Sequence, residues 1–146
     1  MTDAVEVAIE AALLSSATEF ANNNSITIAL PNIAFIPPTV TLNAKFLRAT
    51  FMPVPSLSLA VSFSGTNQHY GIFQIDVFYG QGSGEMAPAR LAASIIENFK
   101  PGTTLSNSGF TTRIIKTPYR GPLIKDDPWT MIPVSIPYIT FASNPA

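Results

Sequence analysis

The stretch HYGIFQIDVFYGQGSG, residues His69–Gly84, is the strongest structural signal in the sequence. Its first part alternates between two sets of side chains, and both sets are mostly apolar. One set is Phe73, Ile75, Val77 and Tyr79, and the other is Tyr70, Ile72, Gln74, Asp76 and Phe78. A strand that is apolar on both faces is typical of the middle of a sheet. We therefore expect residues 69–79 to form a central strand.

The glycines after this strand indicate a turn into a helix. The segment Gly80–Gly84 is rich in the residue that tolerates tight turns best. A helix is predicted at Glu85–Phe99, with Pro88 in its first turn, where a missing N–H costs little. Pro101 and Gly102 then end the helix.

Two strands are predicted before the central one. Leu57, Leu59, Val61 and Phe63 fall on one face of Ser56–Ser64, which alternates without exception. The residues Gly65–Gln68 have the composition of a turn, so Ser56–Tyr79 is expected to form a hairpin. Lys45–Met52 alternates in the same way and predicts another strand.

The N-terminal part predicts a helix at residues 3–20. Asp3 is placed to cap its start, and Glu6 follows three residues later, as in a capping box. The polar run Asn22–Ser25 ends the helix. Several prolines interrupt Ile26–Pro38, which predicts an extended or edge segment rather than a central strand.

The C-terminal part predicts a strand at Phe110–Thr117, a loop at Tyr119–Pro128 and a last strand at Thr130–Phe141. Pro133 and Pro137 share one donor direction in that last strand. Because proline has no N–H, one edge of the strand cannot pair fully. The order of elements predicts an α+β fold, with a mainly antiparallel sheet and two helices packed on one side, in a single domain over residues 1–146.

Composition restricts the possible functions. Apolar residues make up 47% of the chain and charged residues 12%, whereas ordinary domains carry about 25% charged residues. Either other copies of the chain cover part of the surface, or a β-rich domain carries Ser, Thr and Asn on its surface. The net charge is −1 and no basic block occurs, so we expect no binding of nucleic acid.

Other features bear on location. The chain has no cysteine, which excludes disulfides and thiolate metal sites. No apolar run approaches the length of about 18 residues that a membrane span needs, so no membrane partner is expected. The N-terminus is acidic where a signal peptide is basic. We therefore expect the protein to be made and kept in a cytoplasm.

The residues predict no catalytic, cofactor-binding or metal site, and therefore no enzyme. His69 is the only histidine, at a predicted turn, and no cluster of other ligand types accompanies it. The run GQGSG at residues 80–84 lacks the spacing of a phosphate loop, so a tight turn explains it better.

Asp76 is predicted to be buried in the middle of its strand, where a carboxylate needs a partner. Arg48 and Arg113 are the natural candidates, because each lies within a predicted strand. The ion pair could form within the sheet or between subunits, and the sequence leaves both open.

The loop near the C-terminus carries charges of both signs. Asp126 and Asp127 are adjacent before a proline and point in different directions, which favours a structural or interface role over acid–base chemistry. Arg120 and Lys125 complete a rim of mixed charge. Trp129 is the sole tryptophan, and it fits a core position and an interface anchor equally well.

These residues resemble the tail terminator proteins of long-tailed bacteriophages, a group with the lambda U-like fold. The similar stretches are KFLRATFMP, NQHYGIFQIDVFYGQGSG, ARLAASIIENF and GPLIKDDPWTMIPVSIPY. With the N-terminal helix, the resemblance covers most of the chain in the right order. The segment Ile26–Asn43 departs from the pattern, because it is richer in proline.

The resemblance implies a structural virion protein. Such proteins form a six-fold ring on the head-proximal end of the tail tube, stop its polymerisation and join head to tail. The implied partners are other copies of the chain, the major tail tube protein and a head-completion protein, and the implied location is the virion tail, after assembly in the host cytoplasm. The alternatives are a tail tube or head-closure protein, or a small ligand-binding α+β domain.

A closed ring needs two different complementary patches on each subunit. We expect the hairpin Ser56–Tyr79 and the loop Tyr119–Trp129 to contribute to them. The candidate interface residues are Arg48, Asp76, Arg113, Tyr119, Arg120, Lys125, Asp126, Asp127 and Trp129.

Overall fold

The computed structural model describes residues 4–54, 57–58 and 66–143. The helices within these residues are α1 (Val5–Asn23) and α2 (Met86–Asn98). The strands are β1 (Ile28–Ala29), β2 (Lys45–Pro53), β3 (Leu57–Ser58), β4 (Thr66–Gly80), β5 (Thr104–Asn107), β6 (Phe110–Ile114), β7 (Tyr119–Arg120), β8 (Ile124–Asp126) and β9 (Trp129–Ser143).

Strand β4 lies in the middle of the sheet, as its two apolar faces predict. It pairs antiparallel with β9 along its whole length, and on its other side it pairs antiparallel with β2 and β3. The path through the sheet runs β1-β2-β4-β9-β6-β5.

The α+β class is confirmed, but the sheet is mixed rather than mainly antiparallel as predicted. The exception is β1, which pairs parallel with β2. Parallel neighbours need a long connection to bring the chain back in the same direction. Residues 30–44 provide that connection between β1 and β2. The prolines of Ile26–Pro38 indicated an extended or edge segment, but they did not indicate that β1 would run parallel to β2.

The outer side of β9 pairs with three short strands in succession. Strand β8 pairs with residues 129–131, β7 with residues 134–135 and β6 with residues 138–140. Pro133 and Pro137 fall in the two gaps between these pairings. The carbonyl of Pro133 faces this side, where it accepts a hydrogen bond from the backbone N–H of Gly121 at 2.8 Å. The predicted incomplete pairing of one edge of β9 is therefore confirmed. On this side β9 pairs with three separate short strands, and the pairing is interrupted at each proline.

The main core lies between the helices and one face of the sheet. Buried side chains of α1, α2, β2, β4 and β9 form one cluster, with Leu13, Phe73, Ile75, Ile95 and Ile136 at 0% exposure. The two helices contact different strands: α1 lies against β5, β6, β2 and β4, and α2 lies against β9 and β4. A layer of two helices packed on one side therefore describes the fold only in part.

A smaller aromatic cluster covers the other face of the sheet. The rings of Phe46 and Phe78 stack at 4.4 Å, and Trp129 meets Phe46 edge-on at 4.9 Å. Phe35, from the proline-rich connection, packs on Phe46 at 5.2 Å. This connection therefore covers one end of the second face, which gives the proline-rich segment a structural role.

Several predicted boundaries differ from the structure. Asp3 and most of Ser56–Ser64 lie outside the described residues, and Ala4 occupies the N-cap of α1 without a side-chain hydrogen bond. Thr66–Gln68 was predicted as a turn but extends β4, because it pairs with β9. His69 therefore lies within a strand and not at a turn.

The region after α2 also differs from its prediction. Strand β5 was not predicted, since its polar residues lack an apolar alternation. Strand β6 ends at Ile114 rather than Thr117. The predicted loop Tyr119–Pro128 contains β7 and β8, which pair with β9 through their backbone and need little apolar side chain. Neither described helix is both long and apolar enough to cross a membrane.

Replacing Ile75 by Ala should lower the free energy of unfolding by about 2–5 kcal/mol, because it opens a cavity in the centre of the core. The matched control is Ile36→Ala, at a side chain that is 90% exposed, and it should change stability by less than about 0.5 kcal/mol. Denaturant unfolding followed by circular dichroism measures both. Equal losses in the two variants would contradict the central position of β4.

Candidate functional site

The Arg48–Asp76 ion pair is the most highly organised charged feature of the structure. The two residues face each other across β2 and β4. Arg48 donates from Nε and Nη2 to Oδ2 of Asp76, at 3.0 and 2.7 Å. Gln74 donates from Nε2 to the other oxygen, Oδ1, at 2.6 Å. The fully buried carboxylate therefore has partners on both oxygens.

The guanidinium of Arg48 is held in place but remains accessible. It lies over the ring of Phe78, with the guanidinium carbon 4.9 Å from the ring centroid, and Nη2 is 3.6 Å from the sulfur of Met131. The Arg48 side chain is 48% exposed, whereas that of Asp76 is 0% exposed. The pair thus lies within one subunit, and only its arginine reaches the surface.

The other candidate interface residues lie elsewhere. Arg113 is on β6, opposite Ile139, and is exposed. Tyr119 and Arg120 form β7 and are also exposed. The structure therefore brings Arg48 and Asp76 together but leaves Arg113 apart from them.

The acidic pair lies at the tip of a hairpin. Strand β8 turns into β9 at Asp127 and Pro128, which are joined by a cis peptide bond. Lys125, Asp126 and Asp127 are all exposed there. Trp129, at the base of the hairpin, is buried to 8% exposure in the aromatic cluster, so it occupies a core position.

The glycine turn after β4 packs against this hairpin. The N–H of Gln81 donates to the carbonyl of Pro128 at 3.0 Å. Ser83 Oγ donates to the carbonyl of Gly80 at 2.7 Å and accepts from the N–H of Asn43 at 2.8 Å. Gly82 adopts a φ of 94°, which favours glycine. These bonds make the turn a structural junction between three segments.

A cavity of about 580 Å³ opens beside the first turns of α1, and we call it the helix-end cavity. Its lining includes Glu6, Val7, Glu10, Phe51, His69 and Tyr138. Burial, and secondarily the charge of Glu10, raise the pKa of Tyr138 to about 12. The lining therefore combines apolar and aromatic side chains with the carboxylates of Glu6 and Glu10.

Little in the sequence indicated the helix-end cavity, because its lining comes from four separate elements. The available signal was Glu6 and Glu10, one turn apart on α1 with the exposed Val7 between them. Among the described residues, no group of three His, Cys, Asp or Glu side chains is arranged to hold a metal ion.

Comparison with known proteins gives these features a context. The family described as phage tail terminator protein matches residues 8–138. The chain belongs to the phage tail terminator family. The match includes most of α1, the central strands β2 and β4, and the hairpin of β8 with the first part of β9, and it confirms the resemblance found in the sequence.

Two solved structures share the fold of this tail terminator family member. One, whose designation states no function, has a TM-score of 0.74 at 24% identity and covers 90% of this chain and 92% of its own. The other is described as the virion of a native gene transfer agent particle, with a TM-score of 0.56 at 14% identity and coverage of 97% and 98%. No curated protein matches the chain. As a tail terminator family member, the protein is a structural component of a phage tail.

Replacing Arg48 by Met should lower the free energy of unfolding by about 2 kcal/mol, because it leaves the buried carboxylate of Asp76 without its counter-ion. The half-exposed position of Arg48 keeps the loss below that of a fully buried pair. The double variant Arg48→Met/Asp76→Asn removes the unpaired charge and should be more stable than the single variant. Denaturant unfolding of the double-mutant cycle tests this, and additive losses would contradict it.

The raised pKa of Tyr138 predicts a loss of stability at alkaline pH. The folded chain keeps the phenol proton to higher pH than the unfolded chain, whose tyrosine has the ordinary value of 10.0. The stabilisation is therefore complete below about pH 10 and is lost as the pH rises towards 12. Tyr138→Phe should show a flatter decline over this range in denaturant titrations, and Glu10→Gln an intermediate one. Parallel curves for all three proteins would contradict the assignment.

Proposed function

We propose that the chain caps the head-proximal end of the phage tail tube as a ring, ends tube polymerisation and provides the surface for head–tail joining. The observation that carries this proposal is the match to the tail terminator family over residues 8–138. The ring is a hexamer formed by one domain spanning residues 1–146. Its partners are the major tail tube protein below and a head-completion protein above, and it assembles in the host cytoplasm.

The margins of the sheet support a role in assembly. Strands β7 and β8 follow the outer side of β9, and their outer edges meet no further strand among the described residues. Exposed apolar side chains lie at several margins and along the proline-rich connection: Ile36, Leu42, Tyr119, Ile124 and Phe141. Such side chains are suited to contacts that form only in the particle.

The interrupted strand pairing also suits a protein that ends a polymer. Exposed strands invite uncontrolled addition of further strands. Pro133 and Pro137 remove two donors from the outer side of β9, and the short β7 and β8 leave little edge to extend. The subunit therefore favours contacts between side chains over continued sheet formation.

We also propose that the chain neither binds nucleic acid nor catalyses a reaction. The ring acts by shape and contact alone, with recognition supplied by the rim residues Arg48, Arg113, Tyr119, Arg120 and Lys125 and by the hairpin tip at Asp126 and Asp127.

Tube-length measurements test the proposal. Increasing amounts of the purified chain, added to the polymerising tail tube protein of the same phage, should shorten the tubes. The chain, labelled with gold, should lie at one end of each tube in electron micrographs, and the capping species should have a mass of roughly six subunits.

Two outcomes would overturn the proposal. Label along the whole tube would indicate a tube protein. Unchanged tube lengths with unlabelled ends, together with intact heads and tails that fail to join only when the chain is omitted, would indicate a head-closure protein.

A further inference from the structure

The charges of the chain are separated along its sequence. Only acidic residues precede Lys45, namely Asp3, Glu6, Glu10 and Glu19. Only basic residues lie between Glu97 and Asp126, namely Lys100, Arg113, Lys116, Arg120 and Lys125. The net charge of −1 is therefore small although two segments of the chain carry charges of opposite sign.

The fold places four of the basic residues along one margin of the sheet. The exposed Asp126 and Asp127 lie at the hairpin end of this margin, so it carries charges of both signs with a positive balance. The four cations Arg113, Lys116, Arg120 and Lys125 all lie on or between β6, β7 and β8, which follow the outer side of β9, and we call this surface the basic margin. All four are exposed, and none forms an ion pair with another described residue. The exposed Tyr119, at 54%, adds an aromatic side chain among them.

The helix-end cavity is a separate surface of the subunit. Its lining comes from α1, β2, β4 and β9 and includes none of the four basic residues. Glu6 and Glu10 stand at the cavity, and neither forms an ion pair within the described part of the chain. The apolar side chains of Val7 and Phe51 lie beside them. The cavity thus offers apolar surface and uncompensated negative charge together.

We propose that the basic margin of one subunit docks against the helix-end cavity of the next subunit. A ring requires a heterologous interface, in which two different patches of each subunit fit each other. The two surfaces differ in the sign of their charge balance, both combine charge with exposed apolar side chains, and the four cations and the two cavity carboxylates form no ion pair among the described residues. Arg120 and Lys125 approach Glu6 and Glu10, and Tyr119 covers the apolar part of the cavity.

This contact rests on the proposed ring and specifies how the ring closes. Opposite charges at an interface mainly direct partners into register, and aromatic anchors supply much of the binding free energy. Ring closure should therefore weaken as salt concentration rises. A subunit with a net charge near zero still orients its neighbours, because its charges are segregated.

Charge reversal with exchange of partners tests the contact. Glu6→Lys/Glu10→Lys makes both surfaces basic, and Arg120→Glu/Lys125→Glu turns the β7–β8 part of the basic margin acidic. Each variant alone should need at least about tenfold more protein for half-assembly, measured by light scattering. An equimolar mixture should assemble like the wild type, because alternating subunits restore every contact. Glu97→Lys, an exposed reversal on α2, is the matched control and should assemble normally.

Cross-linking tests the geometry directly, because the chain has no cysteine. Val7→Cys lies in the cavity and Tyr119→Cys on the basic margin, at 53% and 54% exposure in the wild type. Mixed single-cysteine proteins should form a disulfide dimer on oxidation under assembly conditions. Met86→Cys, at a side chain that is 62% exposed on α2, should not cross-link with either.

The outcomes separate this inference from the proposed function. Rings that form normally in both charge variants, without the Val7–Tyr119 cross-link, overturn the docking contact and leave the ring intact. A wild-type chain that forms no ring, alone or on tube ends, overturns the proposed function and this contact with it.

Discussion

The burial of β4 on both faces determines what its neighbouring strands must supply. Fifteen residues of β4 pair with β9, and β2 pairs along most of the opposite side. One face of this strand carries the main core, and the other carries Phe78 and the Asp76 carboxylate. A charged group at such a position must have partners from within the fold. Arg48 provides them from the neighbouring strand, so the pairing register of β2 and β4 positions the ion pair.

The sequence predicted those features that depend on local pattern. Alternation identified β2, β4 and β9, and the position of Asp76 among apolar residues indicated an ion pair with Arg48 as one of two candidates. The features it missed depend on distant partners. Strands β7 and β8 exist because β9 supplies backbone hydrogen bonds, and β1 is parallel because a long connection returns the chain. No periodicity records these pairings.

The candidate site likewise combines features that a single segment of sequence predicts with features that depend on residues far apart in the chain. Trp129 fitted the core and an interface equally well until the fold placed it edge-on against Phe46. The helix-end cavity draws on α1, β2, β4 and β9, so no single segment of the sequence describes it. The family resemblance, in contrast, rests on the order of moderately specific motifs along most of the chain, and the match over residues 8–138 confirms it.

The separation of charge gives a physical reason for the scarcity of charged residues. Only 12% of the residues are charged, so few other charged side chains compete with a given residue for the same oppositely charged partner. In the proposed contact, where cations of one subunit meet carboxylates of the next, a reversed orientation of two subunits would place like charges together. Within that proposal, sparse charge selects one mode of association from many that apolar contact alone would allow. A ring built by repeating one contact needs that selectivity, because a single misoriented subunit prevents closure.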